Sequence, residues 1–248
     1  MTAPAPLRPP PSSAELVYDD GEPMESARHV SQMTLLIDSL RFGWRHRSDF
    51  YVAGNMFLYF SEAQTRRNDF RGPDVFVVMG TTPHERKAWV VWEEDGRGPD
   101  VVIELLSEST EHVDRGEKMR IYAQSLRVGE YFLFDPFSEV LEGYDLDALR
   151  GRYVPKKPDS AGRLRSERMG VFLGKARGTY HGIDTNWLRW MDDAGHPIPL
   201  PIEEAAAQTE RANAEAERAN AEAERANAEA ERVRLLEAEI AALKAGKA

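Results

Sequence analysis

Two acidic residues stand in, or at the head of, short apolar runs. Asp74 opens the run in Gly72-Pro73-Asp74-Val75-Phe76-Val77-Val78, and Glu104 lies inside Pro99-Asp100-Val101-Val102-Ile103-Glu104-Leu105-Leu106. A carboxylate taken out of water is costly unless a partner or a cation compensates it. Two hard oxygen ligands converging from rigid elements make a site suited to Mg²⁺ or Mn²⁺. A plainer reading stands beside this one. Asp after Pro is a common turn residue, and the pair occurs twice here. A Glu in an apolar run can also be held by an arginine.

Elements must bring the two acids together. Both runs are rich in β-branched and aromatic residues and bounded by Gly and Pro, which predicts two buried strands. As neighbours, these strands would aim both carboxylates at one place. Ahead of them, Val30, Met33, Leu36, Ile37, Leu40 and Trp44 recur at helical spacing from about Ser26, a candidate N-cap. Arg41, Arg45, His46 and Arg47 crowd the last turn, where cations suit the macrodipole. Glu25 and His29 lie at its entry. Residues 51–60 read as one strand, bulged at Gly54-Asn55.

Behind the Glu104 run, Ser107 to Thr110 supplies capping residues for a helix over about 111–126. Its Asp114, Lys118 and Tyr122 fall on one face. Residues 130–134 read as a strand ended by Asp135-Pro136, with Val140, Leu141 and Tyr144 as its hairpin partner. Further strands are expected over 150–177, and Trp187 to Met191 reads as a closing strand.

The chain has 248 residues, 42% of them apolar and 30% charged, enough for one sizeable core and an appendage. No apolar run reaches the ~20 residues of a membrane span, and the Pro-rich N-terminus lacks the apolar core of a secretory signal. With 0 cysteines, disulfides and thiolate metal sites are excluded, and a cytoplasmic protein is expected. The net charge of −10 argues against a protein that coats nucleic acid nonspecifically. There is no Gly-rich phosphate loop, no nucleophile elbow and no zinc-ligand spacing.

From Glu203 onward the composition changes. Glu210-Arg211-Ala212-Asn213-Ala214-Glu215-Ala216 recurs at Glu217 and again at Glu224. Alanines 212, 216, 219, 223, 226 and 230 form an alternating four–three seam, the sign of a coiled coil. Val233, Leu236, Ile240 and Leu243 continue it with a stammer at Val233. A long helix is expected over this tail, associating as a homodimer or higher homo-oligomer through 205–243. A solitary charged helix held by Glu–Arg pairs is the alternative. The chain then divides into an N-terminal lead-in expected to be disordered (1–14), a globular domain (15–202) and the tail (203–248).

The order of features in the globular part (helix, strand, Pro-Asp strand, Glu strand, helix, strand) resembles the PD-(D/E)XK nuclease core. Gly-Glu-Pro-Met-Glu (21–25), Pro-Asp-Val-Phe-Val-Val (73–78), Trp-Glu-Glu (92–94), Val-Ile-Glu-Leu-Leu-Ser-Glu-Ser-Thr (102–110), Glu-Lys-Met-Arg-Ile-Tyr (117–122) and Glu-Tyr-Phe-Leu-Phe-Asp-Pro (130–136) look more closely like a large bacterial family of predicted restriction endonucleases of that superfamily. The likeness spans roughly residues 15 to 200.

This resemblance implies an α/β fold with a mixed central sheet flanked by helices, and hydrolysis of phosphodiester bonds in DNA. It implies Asp74 and Glu104 as ligands of Mg²⁺ or Mn²⁺, with the Leu105 carbonyl as a third. Glu25 matches an acidic ligand or supporting group on the first helix, or is simply an N-terminal helix charge. The chain departs from the superfamily pattern at Leu106, where a lysine is expected. Lys118 is the candidate substitute, or else the i,i+4 partner of Asp114. His29 is a candidate to assist catalysis. Arg66, Arg67 and Arg71 would clamp a DNA backbone, or form a solvated loop. The competing function is a non-catalytic interaction protein that keeps the nuclease fold as a scaffold and oligomerises through its tail.

Overall fold

The computed structural model describes residues 10–12, 16, 26–61 and 72–245. The chain forms two compact units, residues 1–200 and residues 201–248. No helix among the described residues is long and apolar enough to cross a membrane.

The first unit is built on a mixed sheet. Its strands are β1 (Phe50–Ala53), β3 (Val75–Met79), β5 (Val101–Leu105), β6 (Glu130–Phe134), β7 (Leu141–Asp147) and β8 (Arg152–Pro155), lying side by side in that order. Only β5 and β6 run parallel; the other pairings in this sheet are antiparallel. Between β5 and β6 the chain crosses over through a helical stretch, α2 (111–126), as parallel neighbours require. A second sheet pairs β9 (Leu164–Ser166), β10 (Val171–Tyr180) and β11 (Ile183–Met191), with β10 in the middle.

Alternation along the strands sends side chains to two layers. Val101, Ile103 and Leu105 of β5 join Val75, Val77, Phe132 and Phe134 on one face. There they pack against Leu36, Ile37 and Leu40 of α1 (Ala27–Gly43) and against Leu188 and Trp190 of the second sheet. Val102 and Leu106 point the other way with Phe76, Val78, Tyr131 and Leu133, onto Tyr122 and Leu126 of α2. Glu104 shares the parity of Val102 and Leu106, so the period of two carries it to the α2 side.

α1 begins where its capping residue predicts. The Ser26 hydroxyl oxygen accepts the His29 backbone N–H at 3.3 Å, replacing one of the bonds that a helix start lacks. α2 runs over the expected residues but is not a uniform α-helix: Asp114–Lys118 and Tyr122–Leu126 are wider π turns, with Met119–Ile121 as an α turn between them.

One expected element differs. Residues 51–60 do not form a single bulged strand. β1 ends at Ala53, Asn55 turns the chain with φ 48°, and residues 58–59 form a separate strand, β2 (Leu58–Tyr59), paired in parallel with β4 (Trp89–Val90). The turn takes the chain away from the main sheet, beyond what a one-residue bulge does.

The second unit is one helix, α3 (Pro201–Ala245), of 45 residues. At 1.5 Å per residue it is roughly 68 Å long. Along it Val233, Leu235, Leu236 and Ile240 are exposed.

Candidate active site

The β3–β5 ladder pairs Val75 with Ile103, and its antiparallel register, carried one step further, sets Asp74 opposite Glu104. At that step side chains take over from the backbone ladder. The Asp74 N–H donates to Glu104 Oε2 at 3.3 Å, and the Leu105 N–H donates to Asp74 Oδ2 at 2.7 Å. Each carboxylate thus holds the backbone of the other's strand. Asp74 and Glu104 converge, with the Leu105 N–H on Asp74.

Glu104 is fully buried, with 0% exposure. Its Oε1 accepts the Tyr122 hydroxyl at 2.8 Å, and its Oε2 lies 3.1 Å from the Lys118 ammonium. Lys118 also pairs with Asp114 at 2.8 Å. Asp114, Lys118 and Tyr122 belong to the two π turns or their margins. A four-residue step overshoots a 3.6-residue α turn, whereas a wider turn holds more residues, so the mixture keeps these side chains in line over two turns. Lys118 is thus the i,i+4 partner of Asp114, and the same ammonium also reaches Glu104.

The electrostatics follow from burial. Burial pushes the Glu104 carboxyl up to about 8, against the pull of Lys118, and Asp74 and Asp114 push the same way. Asp74 is also raised, first by burial, although Lys118 and the Leu105 N–H favour its charge. Burial disfavours the Lys118 ammonium, yet Glu104 and Asp114 outweigh it and hold its pKa above the ordinary lysine value. Tyr122 is raised by burial and by Glu104, so it stays a hydrogen-bond donor. One ammonium lies between Glu104 and Asp114 in a desolvated place, with Asp74 farther off in the same field. Asp74 and Glu104 offer the hard oxygen donors that a divalent cation of the Mg²⁺ class takes, so the donor type fits the expected metal once Glu104 gives up its proton. Among the described residues no group of three or more His, Asp or Glu side chains is gathered to hold one.

Leu106 is buried in the layer facing α2, which accounts for an apolar residue there. Its carbonyl lies 3.1 Å from His29 Nε2, while Nδ1 of that ring lies 2.8 Å from the Ser26 hydroxyl. A carbonyl can only accept, so Nε2 carries a proton and donates to it. His29 therefore fastens the entry of α1 to the end of β5, a tie that no spacing in the sequence announces. Glu25, Arg66, Arg67 and Arg71 lie outside the described residues. The Tyr122–Glu104 bond could have been found from the sequence, because Tyr122 falls on the same helix face as Lys118.

Comparison with known proteins adds a family. Residues 6–171 match the model of the Uma2 family, described as "Putative restriction endonuclease". Among solved structures, the chain is similar to one from Anabaena variabilis ATCC 29413, described as a putative nuclease belonging to DUF820. The identity is 14%, the TM-score is 0.40, and the match covers 58% of this chain and 78% of that one, too loose to carry an argument. No curated protein gives a significant match.

Proposed function

This chain belongs to the Uma2 family, and from that premise we propose that it is a metal-dependent endonuclease hydrolysing phosphodiester bonds in DNA. The observation that supports this most is the clasp between Asp74 and Glu104 with Lys118 and Tyr122 closed over Glu104. Asp74, Glu104 and the Leu105 carbonyl would hold Mg²⁺ or Mn²⁺, with Glu25 as a further ligand or a supporting group. When bound, the ion supplies Lewis-acid polarisation of the phosphate and lowers the pKa of a water molecule.

The remaining work falls to side chains. Tyr122 donates to Glu104 Oε1 and fixes the carboxylate's rotation. Lys118 has three N–H donors. Its ion pairs with Glu104 and Asp114 aim the ammonium, and a donor remains to orient the attacking water or to bind a phosphate oxygen in the transition state. Lys118 thus does from α2 what the residue at 106 cannot. Arg66, Arg67 and Arg71 would contribute further grip on the DNA backbone. The exposed Val233, Leu236 and Ile240 of α3 would pair two chains as a coiled coil, which suits a two-fold cut.

The test is plasmid cleavage in Mg²⁺ or Mn²⁺ by the wild type, Asp74→Ala and Glu104→Ala. Each substitution is expected to lower the rate on the order of 10²-fold or more. Nicking that persists unchanged in both variants removes the assignment.

A second reading, a non-catalytic scaffold, is favoured by the apolar Leu106 and the two-carboxylate donor set. On that reading Glu104, Lys118 and Asp114 form a closed ion-pair network, and isothermal titration with Mn²⁺ gives no heat of binding.

A further inference from the structure

β1 is an edge strand of the main sheet, and a groove of about 710 Å³ runs beside it, walled by the last turn of α1 and by residues 83–86. Four arginines line it. Arg86 is committed: it pairs with Glu94 and lies 4.7 Å from both the Tyr51 and the Trp89 ring. Arg47 rests 4.3 Å over Trp44 and pairs with Asp49 at 2.8 Å. Arg41, in the last turn of α1, and Arg45, just past its end and 4.4 Å over the Phe42 ring, are exposed, and among the described residues neither has a carboxylate within ion-pair distance. Arg41 Nη2 donates to the Val52 carbonyl at 3.0 Å, and Arg45 Nη1 donates to the Phe42 carbonyl at 2.9 Å. These bonds aim the guanidinium groups and leave most of their five N–H donors unused. The acidic lining residue is Glu85.

Toward its other end the groove runs along β1 to Gly54, beside the backbone of Asp74. Gly54 lines it, and a Cβ on Gly54 would stand 2.1 Å from the Asp74 carbonyl oxygen. The groove that holds Arg41 and Arg45 therefore ends beside the main chain of Asp74, which carries one of the paired carboxylates.

We propose that this groove holds the phosphodiester backbone of a DNA strand, gripped by Arg41 and Arg45, and leads it toward Asp74. The proposal rests on the nuclease reading for its ligand class. Planar guanidinium forks match phosphate oxygens two at a time. In a chain of net charge −10 the overall field opposes a polyanion, so such local cations must carry the binding.

The experiment measures fluorescence anisotropy of a labelled duplex oligonucleotide with the full chain in EDTA, over a range of NaCl. The double variant Arg41→Ala/Arg45→Ala is compared with the wild type and with a control of equal charge, Arg150→Ala/Arg177→Ala, on exposed residues elsewhere. The groove variant is expected to bind at least tenfold more weakly. Its plot of log affinity against log salt should be shallower by about 0.9 for each phosphate that is no longer neutralised. The control should match the wild type. Thermal melting checks the fold, and Arg45→Gln alone, which keeps a polar side chain, should give an intermediate weakening. An unchanged affinity and slope, an equal weakening in the control, or displacement of the DNA by polyglutamate at equal charge would overturn the proposal. Binding here needs no metal and no turnover. A wild type that cuts no DNA in Mg²⁺ or Mn²⁺, or cuts no faster than Asp74→Ala and Glu104→Ala, refutes the nuclease reading, whereas full binding by the groove variant refutes the groove alone.

Discussion

Glu104 is buried beside a single ammonium, and its carboxyl stands at about 8 against an ordinary 4.5. The sign of the resulting pH dependence is set by which state holds the proton. Between these values the folded chain keeps a proton that the unfolded chain has released, so this residue favours folding at low pH. Its contribution is lost as pH rises through the folded value. In EDTA the melting temperature is therefore expected to fall as pH is raised from about 4.5 to about 8, and Glu104→Gln should flatten that slope. The same proton competes with a divalent ion. Mn²⁺ affinity measured by titration calorimetry should climb toward pH 8 by up to about tenfold per unit, then level off. A melting curve that rises over this window in the wild type, or a flat Mn²⁺ affinity, contradicts the assignment of Glu104.

At the scale of elements, the site depends on β3 and β5 meeting in one register and on α2 carrying Lys118 and Tyr122 over them. Gly54 is a control point for the first of these. It follows β1, and the space where its side chain would stand is filled by the Asp74 carbonyl, Ile37 and Met33. Gly54→Ala sets a methyl group against a backbone oxygen that cannot swing aside. A stability loss of about 2–3 kcal/mol is expected from overpacking, measured by urea unfolding. A displaced Asp74 should also lower cleavage more than this stability loss explains. A neutral variant would mean that β1 and β3 can part at little cost.

For the whole molecule, the helix of residues 201–245 is long, charged and carries its large apolar residues exposed. A lone helix of that kind has no core of its own, and an alanine seam buries little area. The Val233, Leu236 and Ile240 portion must then supply most of any pairing energy. Removal of 201–248 is expected to leave one chain per particle by light scattering, and Leu236→Glu with Ile240→Glu to halve the mass of the full chain. A number of chains per particle unchanged by either alteration assigns assembly, if present, to the globular unit.

Much of the arrangement is written locally in the chain. The β-branched apolar run from Val101 to Leu106 is enough to give a strand, and a strand's period of two sends Glu104 to the side away from Leu105. Ser26 marks the start of α1, the spacing of Asp114, Lys118 and Tyr122 puts them on one helix face, and the seven-residue repeat specifies a long helix. Periodicity and capping are properties of neighbours in sequence, so sequence alone determines them. The pairing of Asp74 with Glu104, the hold of His29 on the Leu106 carbonyl and the break of the chain at Asn55 are of another kind. They depend on which strand lies beside which and in what register, and only the closing of the sheet around its two apolar layers decides that. The same closing leaves Arg41 and Arg45 open to solvent while it commits Arg86 to Glu94. Their charges are alike in the sequence, and their different fates come from what the fold sets beside each.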